Sequence, residues 1–92
     1  MSAFAVPDHV GVIIEREDLV YIATLPQGPI LRLDGAAAVI WAAALEDSAE
    51  TLVDRVAATV GASSQEIADD VEGFIGTLVQ RGLLRPLIAE RY

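Results

Sequence analysis

Few side chains in this sequence could do chemistry. His9 is the single histidine and there is no cysteine, which excludes thiolate catalysis, disulfides and cysteine-ligated zinc. Asp69, Asp70 and Glu72 form a group of carboxylates. They could bind a metal, but acids near a helix start are stabilised by the helix dipole and normally face solvent. Because phosphate-binding, dinucleotide-binding and serine-nucleophile motifs are also missing, we expect no enzyme activity, no metal and no cofactor.

The charge of the chain also limits its partners. Fourteen acidic residues stand against six basic ones, all arginine, and the net charge is −8. Such a chain repels phosphate backbones. The opening "MSAFAVPDHV" lacks the basic start and apolar run of a signal peptide, and no apolar run reaches the roughly 20 residues that span a bilayer. We expect a cytoplasmic protein that binds neither nucleic acid nor membrane.

The first third of the chain predicts strands. Three runs rich in β-branched residues, His9–Glu15, Leu19–Leu25 and Pro29–Leu33, are separated by the short turns "REDL" and "PQG". Short connections predict an antiparallel meander. Pro29 cannot donate a ladder hydrogen bond, so the third strand is expected at a sheet edge.

The rest of the chain predicts three helices. Asp34 is the expected N-cap of the first, and Ser48 or Asp47 that of the second, which Gly61 ends as a left-handed residue. In the third, Ser63 and Glu66 have the spacing of a capping box.

Gly82 is expected to stop the third helix, and Pro86 to prevent it from resuming. The sequence therefore predicts one α+β domain over residues 1–92, with strands at about 9–33 and helices at about 35–82. Three antiparallel strands followed by three helices, the last two in a helix-turn-helix, are typical of a winged helix.

A winged helix raises the possibility of DNA binding, which its third helix would mediate. The start of that helix carries Glu66, Asp69, Asp70 and Glu72, and no basic residue comes before Arg81. Carboxylates at a phosphate groove would weaken binding, so this surface argues against a nucleic-acid partner.

Between residues 19 and 84, apolar, small and helix-capping residues follow one another in a distinctive order and spacing. Its members are Leu33, Asp34, Gly35, Ala37, Ile40, Trp41, Val60, Ser63, Asp70, Val71, Phe74, Leu78, Gly82, Leu83 and Leu84. In this order and spacing the chain resembles the PqqD-like family, the recognition elements of ribosomally made, modified peptides. It departs from the family pattern at Gly35, where proline, serine or glutamate is usual.

The resemblance implies a non-catalytic protein that binds the leader segment of a precursor peptide. The leader would add as a strand to the third strand and lie against the third helix. An edge strand independently favours this, since its free backbone groups invite pairing. The peptide-binding residues expected on this basis are Pro29, Ile30, Leu31, Arg32, Leu33, Asp70, Val71, Phe74, Thr77, Leu78 and Arg81.

The resemblance leaves the enzyme partner open. A lasso-peptide system is favoured, with a transglutaminase-like cysteine protease as partner. A radical SAM peptide-modifying enzyme is the alternative within the family, and a winged-helix regulatory or protein-interaction module is the alternative outside it. Because successive side chains of a strand point to opposite faces, Ile30 and Arg32 share one face and Leu31 and Leu33 the other. The sequence does not indicate which pair faces the core. Trp41 is expected in the core of the first helix.

Overall fold

The computed structural model describes residues 3–48 and 50–87. Its main sheet has three antiparallel strands, β2 (Val10–Arg16), β3 (Leu19–Thr24) and β4 (Ile30–Asp34), in the order β2-β3-β4. A pair of short strands, β1 (Phe4–Ala5) and β5 (Arg85–Pro86), forms a separate antiparallel ribbon. The three-stranded meander is the one that the short turns predict.

Three helices follow the sheet: α1 (Ala36–Glu46), α2 (Leu52–Val60) and α3 (Ser64–Gln80). They pack on one face of the sheet. Trp41 of α1 is 1% exposed at the centre of this core. The other core residues are buried aliphatic and alanine side chains from the sheet and all three helices, among them Val20, Ile22, Leu33, Ala38, Ala43, Ala44, Val56, Val71, Ile75 and Leu78. The predicted α+β class and the order of three strands followed by three helices are confirmed.

Local signals set the ends of α3. The Ser63 hydroxyl accepts a hydrogen bond from the Glu66 backbone at 3.2 Å, and the Glu66 carboxylate accepts one from the Ser63 backbone at 2.9 Å. At the other end Gly82 has a φ of 76°, and the N–H of Leu83 donates to the carbonyl of Leu78 at 2.9 Å. This is a Schellman closure, and it places Leu83 beside the helix end. The capping box and the glycine stop are both confirmed, as is Gly61 at the end of α2 with a φ of 77°.

The expected caps of the other two helices are wrong. Asp34 still belongs to β4, where it pairs with Leu19, and its carboxylate lies 3.5 Å from Arg32 Nε. Gly35 instead precedes α1 with φ 59° and ψ −130°, a backbone conformation open mainly to glycine. The chain therefore turns from strand to helix through a glycine, with no side-chain cap.

The start of α2 also lacks the expected side-chain cap. Thr51 precedes this helix without a side-chain cap, and the Ser48 carbonyl accepts from the Leu52 N–H at 3.1 Å. The Asp47 carboxylate accepts a hydrogen bond from Arg55 Nη1 at 2.6 Å, and Glu46 pairs with the same nitrogen at 2.8 Å. These hydrogen bonds, the one to Asp47 first, raise the pKa of Arg55 above its ordinary value. Neither expected residue caps the helix: the Asp47 carboxylate binds Arg55, and the Ser48 hydroxyl shares a hydrogen bond with the Thr51 hydroxyl at 3.2 Å.

Candidate functional site

The outer edge of β4 presents backbone groups to solvent. The Gly35 N–H donates to the Asp18 carbonyl at 3.0 Å, which extends the β3–β4 ladder by one residue. In an antiparallel ladder, residues that bond to the neighbouring strand alternate with residues that point away from it. Leu31 and Leu33 therefore bond to β3, and the backbone groups of Ile30 and Arg32 point outward. Among the described residues no strand pairs with this edge.

The structure assigns the two faces of β4. Leu33 is 3% exposed and Leu31 is half-buried against the core, whereas Ile30 is 73% exposed and Arg32 is also exposed. Leu31 and Leu33 are thus the pair that faces the helices, and Ile30 and Arg32 are the pair on the other face. A strand added to this edge would place alternate side chains on the helix side.

A groove joins the start of β4 to the end of α3. It has a volume of about 360 Å³. Pro29, Ile30 and Leu31 form one wall, and Arg81 and Leu83 form the other, with Thr24 also in the lining. Four of the expected peptide-binding residues, from two elements far apart in sequence, therefore border one groove.

The other expected residues of α3 differ in how far their side chains are exposed. Val71 and Leu78 are each 1% exposed, so they support the helix from within the core and have little surface for a ligand. Asp70 and Thr77 are exposed, and the Thr77 hydroxyl donates to the Gly73 carbonyl at 3.1 Å. Phe74 is half-buried and packs against the core.

Charge varies along the exposed side of α3. Glu66, Asp69, Asp70 and Glu72 are all exposed in its first half, and Arg81 follows its last turn. The carboxylate of Glu66 accepts a hydrogen bond from the Ser63 backbone, which lowers its pKa. The helix therefore offers negative charge at one end and a cation beside the groove at the other.

The residues considered for catalysis are not assembled into a site. His9 is exposed, and its Nε2 lies 3.7 Å from where a Cβ on Gly82 would stand. Within residues 3–48 and 50–87 no three histidine or acidic side chains are grouped as metal ligands. In the same part of the chain, every helix is too short or too polar to cross a bilayer.

Sequence reasoning missed two residues of the groove, Thr24 and Leu83. Leu83 could have been found, because the residue that follows a Schellman glycine commonly packs against the helix end. Sequence reasoning also missed a second cavity, of about 440 Å³, beneath the end of the β2–β3 hairpin. Ile14, Val20, Val39, Trp41 and Leu45 provide most of its apolar lining.

The family model described as coenzyme PQQ synthesis protein D (PqqD) matches residues 12–84 of this chain. The match includes most of β2, all of β3 and β4, and all three helices. Neither the curated proteins nor the solved structures include a match to this chain.

Proposed function

This chain belongs to the PqqD family, and we propose that it binds the leader segment of a ribosomally made precursor peptide at the free edge of β4. Members of the family are non-catalytic accessory proteins, and the family implies a precursor peptide and a modifying enzyme as partners. The observation that carries the proposal is the open edge of β4 beside a groove shared with α3.

Strand addition would satisfy the outward backbone groups of Ile30 and Arg32. The leader gains main-chain hydrogen bonds, and its alternate side chains enter pockets on the helix side. Leu31 and the groove formed with Arg81 and Leu83 would receive them. Phe74 and Thr77 are the proposed continuation of this wall along α3, while the buried Leu33, Val71 and Leu78 hold the wall in place.

The charges on α3 would fix the direction of the leader. Asp70 and Arg81 stand about 16 Å apart along the helix axis at ~1.5 Å per residue. Both are exposed, and neither forms an ion pair among the described residues. A leader with a basic residue near Asp70 and an acidic one near Arg81 would bind in one orientation only.

The complex would serve a partner enzyme, since this chain has no cysteine and its one histidine is exposed. We favour a lasso-peptide system, in which a transglutaminase-like cysteine protease removes the leader. This preference rests on the alanine-rich, lysine-free composition, which is typical of GC-rich bacterial genomes. The encounter would take place in the cytoplasm, where ribosomes release the precursor.

A backbone substitution gives the sharpest test. In Arg32→Pro, the lost N–H is one that points away from β3, and an edge strand tolerates proline in that position. Candidate leader peptides, synthesised from short reading frames beside the gene, would be titrated into each variant. We expect Arg32→Pro to weaken binding at least about tenfold, the scale of one lost hydrogen bond. The matched control, Arg32→Ala, removes the same side chain but keeps the N–H, so it should retain most of the affinity.

A second pair of variants tests the groove. Arg81→Glu should weaken leader binding by about 1 kcal/mol or more, the scale of a charge-assisted hydrogen bond. Arg85→Glu makes the same charge change at an exposed position outside the groove lining and should have little effect. Equal binding by wild type, Arg32→Pro and Arg81→Glu would place the peptide elsewhere and overturn the proposal.

A further inference from the structure

The opposite edge of the sheet is also open, and its character differs from that of β4. Among the described residues no strand pairs with the outer side of β2. Ile13 is 61% exposed and Ile14 is 68% exposed, so this edge strand has one large exposed apolar side chain on each face. Natural proteins usually protect such an edge with charges, proline or a covering element, because it is a template for pairing with another chain.

The hydrogen-bond register identifies which backbone groups of β2 are free. The Leu25 N–H donates to the His9 carbonyl at 2.7 Å, and the ladder then continues as Val10↔Thr24 to Ile14↔Val20. By alternation, Gly11 and Ile13 bond to β3, while Val12 and Ile14 point their N–H and C=O groups outward. These outward groups could form four hydrogen bonds with an antiparallel strand.

From these features we propose that two copies of this chain associate through their β2 edges, forming a continuous six-stranded sheet. The twofold axis passes through Ile13, the middle residue of β2. Val12 of each copy then lies opposite Ile14 of the other, and both of these residues have outward backbone groups. The two Ile13 side chains meet on the outer face of the sheet.

The sequence of β2 is complementary to itself in this register. The ladder between β2 and β3 shifts register between Ile14 and Arg16, so regular pairing with a second copy covers Val12, Ile13 and Ile14 of each chain. These three residues are uncharged, so no like charges are paired. The edge of β4 lacks this property, because pairing about its middle residue would set Arg32 against Arg32. Like charges directly opposite destabilise a strand pair. Self-association is therefore favoured at β2 and disfavoured at β4.

The cavity near β2 gives the second copy a place to bury apolar surface. Ile14 pairs with Val20, which is 3% exposed, and so points to the helix side of the sheet. It nevertheless stays exposed, because the cavity of about 440 Å³ lies at this corner between Ile14, Val39 and Leu45. In the proposed dimer, Val12 of the other copy would stand beside Ile14 at the mouth of this cavity.

The net charge of −8 per chain opposes association. Salt screens that repulsion, while apolar burial and backbone hydrogen bonds are little affected. The dimer should therefore form more readily as salt and protein concentration rise. Because the two β4 edges lie at the far ends of the joined sheet, each dimer would keep two free peptide-binding edges.

Sedimentation equilibrium at physiological and at high salt, over about a hundredfold range of protein concentration, tests the proposal through mass action. The wild-type mass should rise from 9.8 kDa towards twice that value. Ile13→Lys should remain monomeric throughout, because it sets two cations against each other. The matched control is Ile30→Lys, which makes the same substitution at another exposed isoleucine, on the other edge, and should dimerise like wild type.

Both lysine variants reduce the net negative charge equally, so general repulsion alone predicts that both dimerise better than wild type. Three outcomes would overturn the proposal: both lysine variants dimerise better than wild type, wild type stays monomeric at every concentration, or the dimer is lost only in Ile30→Lys. Val12→Pro, which removes an outward N–H, should also be monomeric, whereas Val12→Ala should dimerise. Circular dichroism confirms that each variant is folded. Mass is read without any peptide, so this outcome is independent of the test of leader binding at β4.

Discussion

Trp41 offers a quantitative test of how the core is built. Its side chain is 1% exposed, and its Nε1 is buried without a hydrogen-bond partner among the described residues. Two substitutions separate these properties. Trp41→Ala removes both the apolar bulk and the unpaired donor, whereas Trp41→Phe keeps most of the bulk and removes the donor.

The two variants should differ clearly in stability. Replacing a buried tryptophan with alanine costs about 3–5 kcal/mol. A chain of 92 residues is expected to have a total stability of about 5–14 kcal/mol at ~0.05–0.15 kcal/mol per residue. For Trp41→Phe, a void of a few tens of Å³ costs about 1 kcal/mol at ~24 cal/mol per Å³. Removing a buried, unpaired N–H should raise the free energy of unfolding by about 1–3 kcal/mol. Together these two terms place the stability of Trp41→Phe between that of wild type and about 2 kcal/mol above it.

Urea unfolding followed by far-UV circular dichroism is the suitable assay, because both substitutions remove the only indole fluorophore. A Trp41→Phe loss of stability as large as that of Trp41→Ala would refute the reasoning, since it would mean that the indole N–H has a partner. A Trp41→Ala variant with wild-type stability would refute the core assignment itself.

Three further predictions concern the local structure and the surface. Gly35→Ala should destabilise the protein by about 1–3 kcal/mol, because a φ of 59° strains any side chain. Gly73→Ala, inside α3, should instead stabilise it by up to about 1 kcal/mol, because apart from the adjoining helix backbone no atom lies within 4 Å of the new Cβ. Because the pKa of Glu66 is lowered in the folded state, its capping contribution is present above its ordinary pKa and is lost as pH falls through the folded value. Melting temperatures measured down the acid range should therefore fall less steeply in Glu66→Gln, whose amide can still cap the helix; an identical acid slope would contradict this. Double-stranded DNA should give no salt-dependent complex of micromolar affinity in a mobility-shift titration at physiological salt, because the exposed start of α3 is acidic.

The parts of the fold that sequence predicted correctly are those set by neighbouring residues. The capping box of Ser63 and Glu66 and the stops at Gly61 and Gly82 need only local backbone geometry. The Asp34 cap failed because aspartate followed by glycine fits both a helix start and a strand end, and the ladder partner on β3 decides between them. The ribbon of Phe4–Ala5 with Arg85–Pro86 was missed, because two-residue strands have no periodicity and their pairing joins the two ends of the chain.

In the candidate site, too, sequence predicted the features set by neighbouring residues and not those set by tertiary packing. The edge position of the third strand followed from Pro29, and the sheet order confirms it. Which face of β4 meets the helices depends on where α1 and α3 pack, and alternation alone contains no such information. For the same reason, the spacing on α3 placed Phe74, Leu78 and Arg81 on one stripe of the helix but did not indicate which of them are buried. In the structure Leu78 is buried, whereas Arg81 borders the groove.

One glycine explains why β4 remains an edge. The Gly35 N–H still bonds to Asp18, the residue before β3, so the chain keeps its place in the ladder until the last residue before the helix. Its positive φ then turns the chain towards the inner face of the sheet, where Ala38 and Trp41 of α1 enter the core. A tight hairpin at this point would have returned a fourth strand along β4 and occupied the outward groups of Ile30 and Arg32. The conformation of Gly35 thus places α1 under the sheet and leaves those groups available to a strand from another peptide.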